Sequence, residues 1–157
     1  MAKKIVHVRL FFWILVLQGV AMFMGLISGK DLVTWYNCLR KSSLTPPGVV
    51  FSIVWPILYV LLAIAGYRLY EKKSKQLTKG QIGYAIQLAL NFLWTPVFFN
   101  GHWIGAAFVI VSLMVFFTYY LVIKCFKTDK VVSYLLIPYL LWIVFASYLN
   151  FYIFLNN

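Results

Sequence analysis

The stretch PYLLWIVFASYLN, residues 138–150, decides the fold class. It lies inside an apolar run, 131–155, long enough to cross the hydrocarbon core of a bilayer, which takes roughly 18 to 25 helical residues. The hydrophobicity is continuous rather than alternating with period two. That excludes a barrel strand and leaves a helix, whose backbone groups pair within the segment. A helix that met only lipid would need no more than Leu, Ile and Val. This one also carries Tyr139, Trp142, Ala146 and Asn150, which ask for a reason beyond insertion.

Four further apolar runs of the same kind precede it, at about 5–27, 49–70, 81–99 and 103–124. Hydrophobic residues make up 64% of the 157, and the mean hydropathy is +0.89, far above a soluble domain. The sequence therefore predicts one domain over residues 1–157, an all-α integral membrane protein built as a bundle of five transmembrane helices. The first run follows Lys3 and Lys4 as a signal peptide would, but it is long and no small-x-small cleavage site follows, so it reads as a span.

The net charge of +11 is explained by where the charges fall. With five spans, Lys3, Lys4, Arg9, Arg68, Lys72, Lys73, Lys75, Lys79, Lys124, Lys127 and Lys130 share one side, leaving Lys30, Arg40 and Lys41 on the other. The positive-inside rule then places the N-terminus in the cytoplasm and the C-terminus outside, in a multi-pass protein of the cell membrane. Basicity here reads as topology reinforced by anionic membrane lipid, not as a nucleic-acid footprint. Cys38 and Cys125 fall on opposite sides, so they do not pair, and neither has the neighbours of a metal ligand.

Most connections are short, with Asn100-Gly101-His102 between the third and fourth spans. The exception is 28–48, which holds Trp35, Tyr36, Leu39 and Leu44 and ends in Thr45-Pro46-Pro47-Gly48. Such a loop is either a lid over a binding site or an interfacial aromatic belt, and composition weighs the two equally. Pro56, Pro96 and Pro138 lie within spans, where a lost backbone bond can open a kink between helices.

The three acidic residues, Asp31, Glu71 and Asp129, all fall in connections, which argues against a proton-coupled pump. His7 and His102 lie near span ends without the partners a hydrolase or metal site needs. What stands out inside the spans is neutral and aromatic. Phe51, Trp55 and Tyr59 share one helix face, as do Asn91, Trp94 and Phe98, and a third stripe runs Pro138, Trp142, Ala146, Asn150 with Phe145 alongside. One reading makes these tryptophans an interfacial belt and the asparagines packing glue. Against it, Trp55 and Trp142 lie several residues inside their spans, and an amide at Asn91 is costly in hydrocarbon without a partner. Converging aromatic faces, an amide and a small alanine floor would form a flat apolar cavity for a planar aromatic ligand.

The segments WYNCLRKSSLTPPGVVFSIVWPILY (35–59), QLALNFLWTPVFF (87–99) and PYLLWIVFASYLN (138–150) resemble the translocator protein family, also called tryptophan-rich sensory proteins or peripheral-type benzodiazepine receptors. The likeness runs in order over nearly all of 19–150, and the first span matches mainly in character. The resemblance implies a five-helix bundle, commonly a homodimer, with a pocket beneath the long loop. Its ligands would be porphyrins and lipophilic drug-like molecules of the isoquinoline carboxamide or benzodiazepine type. Carried over, the pocket uses Trp55, Asn91, Trp94, Trp142 and Ala146, with Tyr36 and Pro47 from the lid. No covalent cofactor and no metal are implied; porphyrin is ligand or substrate. Light- and oxygen-dependent porphyrin degradation, credited to bacterial relatives, would make Trp55 and Trp142 the redox-active catalytic residues.

Two departures stand out. Where the family usually reads Lys-Pro in the first loop, Lys41 is followed by Ser42, which predicts a more mobile lid. The family's cholesterol-associated pattern needs a basic residue near the end of the last span, but Tyr148 and Tyr152 run into Phe154-Leu155-Asn156-Asn157, so selective cholesterol binding is not expected. For dimerisation, Ala85 and Ala89, with Gly83 near the start of the third span, allow close helix approach. Three functions compete: a tetrapyrrole sensor, a photo-oxidative porphyrin-degrading enzyme, and a transporter of porphyrins or other lipophiles.

Overall fold

Five long α-helices account for nearly all of the described residues in the computed structural model: α1 (Ala2–Thr34), α2 (Gly48–Glu71), α3 (Lys75–Thr95), α4 (Ile104–Thr128) and α5 (Lys130–Asn156). The structure describes residues 2–71 and 75–157, with side chains from His7 to Glu71 and from Lys79 onward. Lys72 and Lys73, and the side chains of Lys3, Lys4 and Lys75, lie outside them. Each of the five helices is long and apolar enough to cross a membrane.

Around the bundle the order is α1, α2, α5, α4, α3, with α3 closing back on α1; the α4–α5 and α3–α4 pairs pack most extensively. The interior faces follow alternating steps of three and four residues, as close helix packing requires. On α4 the seam is Ala107, Val111, Met114, Thr118, Leu121 and Cys125, and on α5 it runs through Val132, Leu136, Tyr139 and Ile143. Leu62, Ala63 and Ala65 bring α2 onto this core. α1 is the least enclosed helix, with Phe11, Phe12, Met22, Phe23 and Leu26 all on the outer surface where lipid would lie.

The first connection is shorter than its composition predicts. α1 continues to Thr34, so the loop is 35–47 rather than 28–48. Hydrophobicity ends near Ile27, but Lys30 and Asp31 are compatible with helix, and a helix of 33 residues runs for roughly 50 Å, longer than the hydrocarbon slab. Its last carbonyls are met by side chains: Thr34 Oγ1 donates to Lys30 O, Asn37 Nδ2 to Val33 O and Cys38 Sγ to Thr34 O.

The prolines act differently from one another. Pro56 and Pro138 lie inside α2 and α5, which continue past them, and Gln18 Nε2 of α1 donates to Pro56 O at 2.8 Å. Pro96 instead ends the regular part of α3. A π-turn follows over Pro96–Asn100, closed by Gly101 N donating to Pro96 O at 2.8 Å. A Cβ at Gly101 would lie 2.9 Å from Val97 O, and His102 then turns the chain with φ of 53°.

Among the described residues the charges separate as the sequence predicts. One end carries Arg9 paired with Glu71 at 3.0 Å, and Arg68 paired with Asp129 at 3.1 Å. Asp129 also caps α5 by accepting from Val131 N. The other end holds the loop, the α3–α4 turn and the C-terminus, where Asn157 clasps the backbone of Arg40 through both amide atoms. Cys38 is exposed at that end, while Cys125 is buried near the basic end.

Candidate functional site

The interior polar group that organises the predicted site is Asn91, 3% exposed on α3. Tyr59 of α2 donates its hydroxyl to Asn91 Oδ1 at 2.5 Å, and Asn91 Nδ2 donates to the Tyr139 hydroxyl of α5 at 2.8 Å. One amide thus ties three helices together with donor and acceptor both used, which offsets its burial in an apolar interior. Tyr59 and Tyr139 were missed as partners when the site was read from sequence. The available signal was Tyr59 on the Trp55 face, one turn on; nothing local pointed to Tyr139.

Aromatic rings surround this bridge. Trp55 packs on Tyr59 with centroids 5.6 Å apart, and Tyr59 stacks on Phe92 at 5.9 Å. Trp142 meets Phe51 edge-on at 5.6 Å and Phe145 at 5.9 Å. Ala146 is half-buried on α5, one turn beyond Trp142.

A second aromatic group lies under the loop. Trp94 stacks on Phe98 at 4.9 Å and meets Phe99 edge-on, and Tyr36 meets both phenylalanines edge-on at 6.0 and 5.7 Å. The π-turn is what turns Phe98 and Phe99 toward the loop. Trp94 packs against both hydrophobic clusters, so it joins the loop group to the Asn91 group. The structure therefore brings Trp55, Asn91, Trp94 and Tyr36 into one connected assembly, with Trp142 packed against the same hydrophobic cluster and edge-on to Phe51. Pro47 stays exposed, and its carbonyl accepts from Val50 N at the start of α2. A separate cavity of about 320 Å³ lies near the basic end, lined by Val8, Arg9, Phe12, Trp13 and Glu71.

The loop is held at several points. Ser42, at the position where proline was expected, is buried; its hydroxyl lies 3.2 Å from the Tyr148 hydroxyl and accepts from Leu44 N. Hydrogen bonds thus fix this position in place of a proline ring. The Lys41 ammonium sits 4.6 Å above the Tyr36 ring, and burial pushes the Tyr36 phenol above its ordinary pKa. His102 stacks on Trp35 at 4.2 Å and lies 3.7 Å from Asp31, which accepts from Asn100 Nδ2 at 2.9 Å. The sequence had shown no partners for His102; the turn after α3 and the extra length of α1 supply them.

Ala85 and Ala89 lie on the exposed face of α3, whereas Gly83 packs inward against Leu121.

Comparison with known proteins places these residues in a wider set. The TspO/MBR family model matches residues 12–155. The chain is similar to a tryptophan-rich protein TspO of Archaeoglobus fulgidus, 32% identical over 144 residues that cover 92% of this chain and 94% of that protein. It is similar to a tryptophan-rich sensory protein of Cereibacter sphaeroides, 36% identical over 74% of this chain and 73% of the relative. The human translocator protein is 30% identical over 83% of this chain and 79% of its own length.

Proposed function

Because this chain belongs to the TspO/MBR family, we propose that its role as a membrane sensor or receptor is exercised on a planar tetrapyrrole held by the aromatic assembly under the loop. The observation that carries the reading is the ring of Trp55, Tyr59, Phe92 and Trp94 about the Asn91 bridge, continuous with Tyr36 of the loop. Flat π-surfaces with a few neutral polar points suit a flat, largely apolar ligand. The same features suit isoquinoline carboxamide or benzodiazepine-type molecules.

In this reading the loop is the lid, and the basic end faces the cytoplasm. Exposed Ala85 and Ala89 offer a close-approach surface for a second copy. Illuminated porphyrin passes its excitation to oxygen, and an electron-rich indole nearby traps or relays the oxidising species. Trp55 of α2 and Trp142 of α5, both packed against the same hydrophobic cluster, are the indoles this reading assigns to it. The transporter alternative has less support, because the polar groups of the Asn91 bridge are neutral and engaged with one another, with no ionisable relay among them.

The test is a protoporphyrin titration of the purified protein, in darkness and then under illumination, for wild type, Trp55→Phe and Trp142→Phe. Saturable dark binding in all three with a discrete product only in wild type supports both binding and photochemistry. Identical bleaching in all three leaves a sensor without catalysis, and absence of saturable binding sinks the tetrapyrrole reading.

A further inference from the structure

The loop half of the bundle contains buried polar atoms that the chain itself does not satisfy. Asn150 of α5 is 2% exposed, and neither its Nδ2 nor its Oδ1 has a hydrogen-bond partner among the described residues. The indole nitrogens of Trp94 and Trp142 are likewise buried without an acceptor. Buried amides and indoles nearly always find partners, because an unpaired one loses its hydration and gains nothing in return. Elsewhere α5 obeys this rule: Tyr139 accepts from Asn91, and Ser133 donates to Val122 O at 2.8 Å.

Asn150 and Trp94 face one region, while Trp142 lies two turns back along α5. The inner stripe of α5 runs Tyr139, Ile143, Ala146, Asn150, Ile153, so Asn150 lies one turn beyond Ala146 on the way to the loop. Ile153, the next inner residue, packs in the same cluster as Phe98, the ring on which Trp94 stacks. Gln87 and Thr118 are also unpaired, but they lie on the other side of the Asn91 bridge, toward the basic end.

The donor inventory specifies the chemistry. Asn150 offers two N–H donors and one carbonyl acceptor, and each indole adds one donor. Charges at this end are engaged at the surface, Asp31 beside His102 and Lys41 over the Tyr36 ring, and the buried polar atoms of Asn150, Trp94 and Trp142 are neutral, so a charged group reaching them would meet dipoles and no counter-ion. An uncharged group that accepts and donates side by side would match the asparagine amide atom for atom.

We infer that Asn150 is a ligand-contacting residue that selects an uncharged amide edge on the planar ligand, its Nδ2 donating to the ligand carbonyl and its Oδ1 accepting the ligand N–H. The indole N–H of Trp94, linked to the same end through Phe98 and Ile153, adds a further donor for the ligand. The inference rests on the tetrapyrrole reading for the ligand's planar body and adds which functional group that body must carry.

The test uses the full chain in detergent and three probes with one macrocycle: protoporphyrin, its dimethyl ester and its bis-primary amide. Wild type is expected to bind the amide about ten-fold more tightly than the ester, since the ester retains the carbonyl but lacks the N–H. Asn150→Leu, of similar shape, is expected to erase that preference while raising the melting temperature of the ligand-free protein, because an unpaired buried amide has gone. Asn150→Ala provides a second, smaller replacement with the same expected loss of preference. Equal binding of amide and ester by wild type overturns the inference but leaves the tetrapyrrole reading intact, and so does tightest binding by the free acid. A lower melting temperature in Asn150→Leu with the preference unchanged makes Asn150 a packing residue and also overturns it. Absence of saturable binding by all three probes removes both readings together.

Discussion

The Tyr84 hydroxyl occupies the space that a side chain at Gly66 would need. Tyr84 of α3 donates to Leu62 O of α2 at 2.7 Å, and a Cβ built on Gly66 would lie 2.6 Å from that phenol oxygen. Tyr84 is 1% exposed and cannot swing aside freely. Gly66→Ala is therefore expected to cost about 1–3 kcal/mol, read as a lower thermal midpoint in detergent. Adding Tyr84→Leu should make the alanine nearly harmless, and full additivity of the two losses would refute the steric account.

Asn91 serves two phenols at once. Asn91→Ala leaves the Tyr59 and Tyr139 hydroxyls buried without their partner, at a cost of about 2–4 kcal/mol. Tyr59→Phe keeps the ring, leaves only the Asn91 oxygen without its donor, and should cost less, about 1–2 kcal/mol. Melting temperatures for both variants equal to that of the wild type would show that the bridge contributes nothing to stability.

Asp129 has two tasks that different substitutions separate. Its side chain is 4% exposed against Arg68, and it also accepts from Val131 N at the start of α5. Asp129→Asn keeps a capping oxygen and loses the charge; Asp129→Ala loses both. Alanine should lower stability by about 2–4 kcal/mol and asparagine by visibly less. A larger loss with asparagine would contradict this division.

The loop is tied to α5 through Ser42 and Asn157. Ser42→Ala or Asn157→Ala should speed hydrogen exchange at residues 40–47 by about five- to ten-fold, with the global melting temperature nearly unchanged. Unaltered exchange in both variants would mean that ring packing of Trp35 and Tyr36 alone holds the loop.

How much of the site was legible shows in particular residues. Trp55, Asn91 and Trp94 were readable because i+3 and i+4 spacing puts side chains on one helix face before any neighbour is known. Tyr139 as the partner of Asn91 was not, since 48 residues and one intervening helix separate them and local pattern says nothing about which helices become neighbours. The end of α1 was misjudged because hydropathy reports where lipid ends, whereas a helix ends where its backbone bonds and caps end.

Sequence by itself determined that five apolar helices cross a membrane and that basic residues gather at one end. Both follow from transfer free energies, which act residue by residue along the chain. Only tertiary structure decided that α2 packs beside α5 and that Asn91 bridges Tyr59 to Tyr139. It also decided that Ser42 latches onto Tyr148 and that Asn150 is left unpaired. Those outcomes depend on side-chain directions on helices far apart in sequence. Apolar surface is interchangeable between helices in a way that hydrogen-bond geometry is not.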